Sequence, residues 1–264
     1  MLDEPAAELI RFAEHLANES RDHLERAAEA TGIAVKADKS FVTETDRAIE
    51  ARLRELIAAT YPHHGIWGEE YGGHHLDAEI VWVLDPIDGT APFIAGIPVY
   101  GTLIGVSRFG APWIGVADYP ATDDRWVGLD GAFATRNGVA VRTRRCFDLG
   151  TALMTCSSPD FFRPEEHDIF ATVRDAVQFT LYGASSFAYA LLASGKTDLA
   201  VDGRLKSHDV FAPAAVIGGA GGVVTDWSGA ELKLGAQTQI VAAGDAVLHR
   251  EVLALLGHHR RSAA

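Results

Sequence analysis

The sequence predicts an α+β protein built in two halves, and three patterns carry that expectation. Residues 5–30 and 44–59 place apolar side chains at helical spacing, the mark of helices that bury one face. From about Val99 to Thr135, short β-like runs follow one another with turn residues between them, as in an antiparallel meander. From about Thr151 strands alternate with helical stretches, the rhythm of an α/β layer. The change falls near residues 140–150. The expected halves are therefore an N-terminal α+β half over 1–145 and a C-terminal α/β half over 146–264.

The elements follow in order. Leu9, Phe12, Leu16, Leu24 and Ala27 define the inner face of a long first helix, and Ile49, Leu53, Leu56 and Ile57 that of a second, which Tyr61-Pro-His-His-Gly65 ends. Val81–Leu84 reads as a buried strand. A helix through Phe93 and Ile94 should begin at Gly89 and Thr90, since Pro92 is tolerated in a first helical turn. Val99–Val106, Trp113–Ala117, Arg125–Val127 and Ala132–Thr135 form the meander, with a turn at Arg108–Pro112. In the second half Ala152–Thr155, Phe179–Tyr182, Asp198–Val201, Val223–Thr225 and Gln239–Ala242 read as strands. Helical stretches are expected over 185–194, closed by Gly195, and over 209–220. There is no internal repeat and no low-complexity segment.

Composition bounds the function. Of 264 residues, 48% are hydrophobic and 22% charged, as in ordinary soluble proteins. No apolar run reaches the 18 or more residues of a membrane span, and Met1-Leu-Asp-Glu-Pro5 lacks the features of a signal peptide. Cys146 and Cys156 are too few for a disulfide framework, which points to a reducing cytoplasm. A net charge of −13 argues against nucleic acid as a partner but not against a small phosphorylated substrate, because a bound cation reverses the local sign. The basic run His258–Arg261 reads as a solvated tail.

The chemistry centres on Trp82-Val-Leu-Asp85-Pro-Ile-Asp88-Gly-Thr90. A buried strand that ends in two carboxylates has no packing use for them, because unpaired buried carboxylates cost several kcal/mol. Hard oxygen ligands at this spacing favour Mg²⁺ over zinc. Each acidic position also has a plain structural reading. Asp85-Pro and Asp88-Gly are turn dipeptides. Thr43-x-x-Asp46 is a capping box, Asp209 an N-cap, and Glu69-Glu70 a solvated loop.

Together these residues resemble the inositol monophosphatase superfamily of Mg²⁺-dependent, lithium-sensitive phosphomonoesterases. The resemblance rests on Thr43-x-x-Asp46, Gly68-Glu69-Glu70, Asp85-Pro-Ile-Asp-Gly-Thr90, and Asp209 followed by Gly219-Ala-Gly-Gly222, and it runs from about Lys36 to Trp227. It implies a layered α-β-α-β-α sandwich, a homodimer, and two or three Mg²⁺ per site. Glu69, Asp85 and the Ile87 carbonyl would hold the first ion and Asp85, Asp88 and Asp209 the second. Thr90 and Glu69 would orient the attacking water, with Asp46 accepting the Thr90 hydroxyl. The backbone N–H groups of Gly89 and Thr90 would face the phosphate, and Asp88 and Asp209 would lie beside it. Lys36, rather than Lys39, matches a lysine near the site, and His208 is expected at the surface or behind the ligands.

Phe93–Gly105, Arg125-Trp-Val-Gly128 and Gly65-Ile-Trp-Gly-Glu-Glu70 are similar to the histidinol-phosphate phosphatase branch. Gly183, Ala184 and Ser185 match a substrate-side segment. Asp202 stands where a glutamate commonly contacts substrate hydroxyls, and an acidic lining there suits the ammonium and imidazole of histidinol phosphate. Two other readings stand beside this one: an inositol-1-phosphate phosphatase of broad range, and a metal-binding regulatory protein without turnover.

Overall fold

Two large β-sheets and three helical layers alternate through the molecule, and a separate two-stranded ribbon lies near the N-terminus. The structure is a computed structural model that describes residues 4–27, 32–37, 40–236 and 238–262. Lys39 and the end of the first expected helix beyond Ala27 lie outside the described residues. The first half contains α1 (Glu4–Arg26), β1 (Ala34–Val35), β2 (Phe41–Val42), α2 (Glu44–Thr60), β3 (Gly65–Gly68), β4 (Gly72–His74), β5 (Ile80–Asp88), α3 (Thr90–Ala95), β6 (Gly101–Arg108), β7 (Ala111–Tyr119), β8 (Asp124–Leu129), β9 (Phe133–Arg136) and β10 (Val139–Ala140). The second contains β11 (Leu153–Cys156), α4 (Pro164–Ala176), β12 (Phe179–Tyr182), α5 (Phe187–Ala193), β13 (Leu199–Leu205), α6 (Ser207–Ala220), β14 (Val223–Asp226), β15 (Thr238–Ala243) and α7 (Ala246–Ser262).

An eight-stranded sheet runs β10-β9-β8-β7-β6-β5-β3-β4, and a five-stranded sheet runs β12-β11-β13-β15-β14. Helices α1 and α2 cover one face of the larger sheet, where Leu16, Ile49 and Leu53 meet Trp82, Leu84 and Ile104. Helices α5 and α6 fill the space between the sheets, where Leu192, Phe211 and Ile217 meet Leu103, Trp126 and Ile240. Helices α4 and α7 cover the outer face of the smaller sheet, packing Phe170, Val173 and Val252 on Met154, Val201 and Val241. This is the α-β-α-β-α sandwich that the resemblance implied. No helix among the described residues is long and apolar enough to cross a membrane.

The buried stripe of α1 (Leu9, Ile10, Ala13, Leu16, Ala17, Leu24) keeps the period expected of it. The Gly195 stop of α5 is realised as a Schellman motif: Gly195 at φ 66 donates to Leu192 O and Lys196 N to Leu191 O, which satisfies two carbonyls of the last turn. Helix α6 is apolar all round, with Val210, Phe211, Ala214, Ala215 and Ile217 all buried, as a helix between two sheets must be.

The contact of α6 with the larger sheet depends on a row of glycines. Gly105 on β6, Gly115 on β7 and Gly128 on β8 are cross-strand partners of one another. A Cβ at Gly115 would lie 2.8 Å from the Ala212 carbonyl carbon, and one at Gly128 2.5 Å from Val216 Cα. The helix backbone rests directly on the row.

Three expectations change. The strand expected over Val81–Leu84 continues through Asp88, because the carboxylates are part of the strand end rather than a turn after it. Helices α4 and α7 were not anticipated. Glu166, Phe170 and Val173 form too short a stripe for α4, whereas Leu248, Val252 and Leu256 do keep helical spacing in α7. The basic run His258–Arg261 continues α7 instead of forming a tail.

Gly115→Ala is expected to lower stability in urea unfolding by about 1–3 kcal/mol or more, as overpacking does. Gly257→Ala, inside α7 with open space around the added Cβ, should raise it by about 0.5–1 kcal/mol. Equal effects at the two positions would refute the close contact.

Candidate metal centre

The chain brings its acids together by strand register and helix placement. β3 and β5 are parallel neighbours with Gly68 opposite Leu84, and Glu69 N donates to Leu84 O at 3.1 Å. Glu69, just past the end of β3, therefore stands beside Asp85 near the carboxyl end of β5, the usual ligand position in sheets with parallel strands. The ladder to β6 then breaks between Asp85 and Asp88. There the Pro86 carbonyl accepts the Thr102 hydroxyl at 2.9 Å, and Ile87 is buried in the core. Helix α6, seated on the glycine row, presents Asp209 from its first turn. One oxygen from each of Asp85, Asp88 and Asp209 lies within 4.8 Å of the others.

Asp209 is not the N-cap expected from sequence. The helix starts at Ser207 behind Lys206, and Asp209 stands at the third position, where its Oδ2 accepts Lys206 N at 2.6 Å. Thr43 and Asp46 do form the capping box, with Asp46 Oδ2 accepting Thr43 N at 2.8 Å. Asp46 Oδ1 accepts the Thr90 hydroxyl at 3.3 Å, so one carboxylate caps a helix and also reaches the cluster. The same hydroxyl lies 3.1 Å from the Ile87 carbonyl.

The cluster is electrostatically frustrated. Burial, then the charges of Glu69, Asp88, Asp209 and Asp46, push the Asp85 carboxyl well above its ordinary range. Burial raises Asp88 to about 7 against the pull of hydrogen bonds from Ser186. Burial also raises Asp209, an effect that His208 partly offsets. Asp85 Oδ1 is buried with no hydrogen-bond partner, and such an orphan is costly. A divalent cation removes these conflicts together. The donor set is all oxygen, the chemistry that Mg²⁺ selects, so the residues present fit that ion.

Lys36 Nζ lies 2.7 Å from Glu69 Oε1 and 2.6 Å from Glu70 Oε1. Burial pulls this ammonium down, but the two glutamates more than compensate and hold it above its ordinary value. Glu50, which sequence reasoning missed, is fully buried and accepts Glu70 N at 2.7 Å, Tyr71 N at 3.2 Å and Arg54 Nε at 2.8 Å. It holds the backbone of the Glu69-Glu70-Tyr71 turn. The signal was present: Asp46 and Glu50 stand one helical turn apart on the stripe of Ile49 and Leu53, where a carboxylate needs a partner.

The substrate-side residues divide. Ser185 has a left-handed backbone at φ 46, and its Oγ lies 3.2 Å from where a Gly89 Cβ would be. Gly183, at φ 90, follows the end of β12, and Ala184 is half-buried beside it. Asp202 is apart from the cluster. It is 1% exposed, and its oxygens accept Ser157 N at 2.7 Å, Ser157 Oγ at 3.1 Å and Tyr189 Oη at 2.8 Å. A substrate ammonium would have to displace one of these donors. His208 is buried, not at the surface, with Nε2 3.7 Å from Asp209 Oδ1.

Comparison with known proteins supplies an independent view. The model of the inositol monophosphatase family matches residues 5–261. The bifunctional phosphatase IMPL2 of Arabidopsis thaliana is 41% identical over 86% of this chain and 68% of its own length. The histidinol-phosphatase of Mycobacterium tuberculosis is 32% identical over 85% of this chain and 87% of its own. The structure of an inositol monophosphatase from Zymomonas mobilis superposes with a TM-score of 0.86 at 35% identity, covering 95% of this chain and 98% of that one.

The raised carboxyls give a pH-dependent prediction. The metal-free fold keeps protons that the unfolded chain has released, so its stability declines as pH rises from about 4 through the Asp88 value near 7. Mg²⁺ must displace those protons, and the rise in Tm that it produces should be larger at pH 8 than at pH 5.5. A rise independent of pH would separate the ion from this cluster.

Proposed function

This chain belongs to the inositol monophosphatase family, and from that premise we propose that it is a Mg²⁺-dependent phosphomonoesterase acting on L-histidinol phosphate. The observation that carries the phosphatase reading is the convergence of Asp85, Asp88 and Asp209 beside Glu69 and a Thr90 hydroxyl anchored on Asp46. We assign Glu69, Asp85 and the Ile87 carbonyl to one ion and Asp85, Asp88 and Asp209 to another. When bound, such ions activate water, neutralise the ester and stabilise the leaving oxygen.

The protein's own groups do the rest. Asp46 aims the Thr90 hydroxyl, and Thr90 with Glu69 orients the attacking water. Lys36 offsets the charge of Glu69 and Glu70. The turn at Gly89 brings backbone N–H groups toward the phosphate, and Gly183, Ala184 and Ser185 form the far wall of the substrate site. Asp202 acts from behind that wall through Ser157 and Tyr189. In this assignment residues 1–145 supply most of the ligands, and residues 146–264 contribute Asp209 and the substrate wall. The two cysteines are free and buried, in keeping with the cytoplasm as its compartment.

The substrate reading draws on the similarity to the M. tuberculosis histidinol-phosphatase and on the segments Phe93–Gly105 and Arg125–Gly128. The close fit to the Z. mobilis inositol monophosphatase favours the other reading, an inositol-phosphate phosphatase. We also propose that the chain forms a homodimer, as its family resemblance implies. Light scattering should give twice the chain mass, and a single-chain mass would overturn it.

Phosphate release with Mg²⁺ from histidinol phosphate, inositol 1-phosphate and adenosine 3′,5′-bisphosphate tests the activity. A preference of about a hundredfold for histidinol phosphate, about 2.7 kcal/mol, is expected, and comparable rates on inositol 1-phosphate would shift the assignment to that ester. Asp85→Asn should abolish turnover while leaving the metal-free fold at least as stable, because it removes a buried carboxyl whose ionisation the fold opposes. Undiminished activity in that variant would sink the mechanism.

A further inference from the structure

Asp88 is tied to the other half of the chain by a line of buried hydroxyls. Ser186 donates both its backbone N–H (2.9 Å) and its Oγ–H (2.5 Å) to Asp88 Oδ2. Tyr119 Oη lies 2.8 Å from Ser186 Oγ. Since the serine proton points at the carboxylate, the phenol must donate to the serine, and the line runs Tyr119 to Ser186 to Asp88. Ser186 is 4% exposed and Tyr119 fully buried. The tyrosine ring is held edge-on by Trp126 at 5.7 Å and Phe187 at 4.9 Å.

Two features show that this arrangement is more than incidental packing. Ser186 occupies the N-cap of α5 yet makes no side-chain cap bond to its own helix, although capping is what serine ordinarily does there. The residue before it, Ser185, adopts a left-handed backbone at φ 46, a conformation that costs a non-glycine side chain and persists only where its surroundings enforce it. The strained turn and the forgone cap both serve to direct Ser186 at Asp88. Because both donors fall on one oxygen, Ser186 sets the plane of the carboxylate and hence the direction of its other oxygen.

Resting on the metal-dependent reading above, we propose that Ser186 and Tyr119 are positioning residues that hold Asp88 for cation binding, Ser186 directly and Tyr119 through Ser186. Groups behind metal ligands commonly contribute about 10–100-fold to affinity or activity, so removal of the serine hydroxyl should be felt in metal binding before anything else. Tyr119 acts only through that hydroxyl, which makes the two effects dependent on each other.

The test is calorimetric titration of Mg²⁺ into the metal-free protein, comparing wild type, Ser186→Ala, Ser186→Thr, Tyr119→Phe and the double variant Ser186→Ala/Tyr119→Phe. Ser186→Ala should weaken Mg²⁺ binding about tenfold or more, and Ser186→Thr, which keeps the hydroxyl, should return it to near wild type. Tyr119→Phe should weaken binding less, and should add nothing when Ser186 is already alanine. In phosphate-release assays the Mg²⁺ half-saturation should rise in step while the KM for the ester holds. Wild-type affinity in Ser186→Ala, or a full Tyr119→Phe effect in the alanine background, overturns the proposal. Wild type that binds Mg²⁺ but releases no phosphate removes the enzymatic reading alone. Wild type that binds no Mg²⁺ removes both.

Discussion

Backbone contact between α6 and the eight-stranded sheet is the constraint from which the site follows. Gly105, Gly115 and Gly128 form a track with no side chains, and Ala212 and Val216 lie on it. Any side chain in that row would lift the helix. Helix α6 carries Asp209 in its first turn, so the same lift would withdraw the third carboxylate from Asp85 and Asp88. The glycine row thus converts tight packing, a matter of core density, into ligand geometry. It also explains why residues more than a hundred positions apart in the chain share one cluster.

Helix α2 plays a complementary part from the opposite layer. Asp46 and Glu50, one turn apart and both buried, reach through the layer to anchor the Thr90 hydroxyl and the turn that follows Glu69. Their neighbours Ile49 and Leu53 lock the helix into the core, so the carboxylates are held by packing rather than by loops. Rigid support of this kind is what a preorganised site requires. The acids themselves oppose it. Asp85 has an oxygen with no partner, and Asp88 and Asp209 carry raised carboxyls. Hydrophobic burial around the cluster holds charges together that would otherwise separate. A cation bound there would turn that repulsion into affinity.

Much of this was legible in the sequence. Helical periodicity located α1 and α2, and turn residues located the strands from β6 to β9. The motif acids Asp85, Asp88 and Asp209 do meet in one cluster, with Glu69 beside it on Lys36. Each of these signals is local, or is a spacing that a motif preserves. What was missed depended on partners distant in sequence. Glu50 went unmarked because its donors, Glu70 N and Tyr71 N, lie some twenty residues away. Ser186 read as part of a helix start, since nothing in its neighbourhood indicates a bond to Asp88. Asp202 read as an open acidic wall because burial cannot be read from a single residue, and its donors come from Ser157, just past the end of β11, and from α5.

By itself the sequence determined the class of fold and picked out acidic residues that meet at the candidate metal centre, Asp85, Asp88 and Asp209, because periodicity and side-chain chemistry are properties of the residues. Only the tertiary structure decided how those acids are aimed. It made Asp46 both a helix cap and the Thr90 anchor, set Asp209 at the third position of α6 instead of its cap, and enlisted Ser186, Tyr119 and Glu50 behind the site. Aim depends on which donor reaches which oxygen, and that is settled only when layers from both halves of the chain pack against one another.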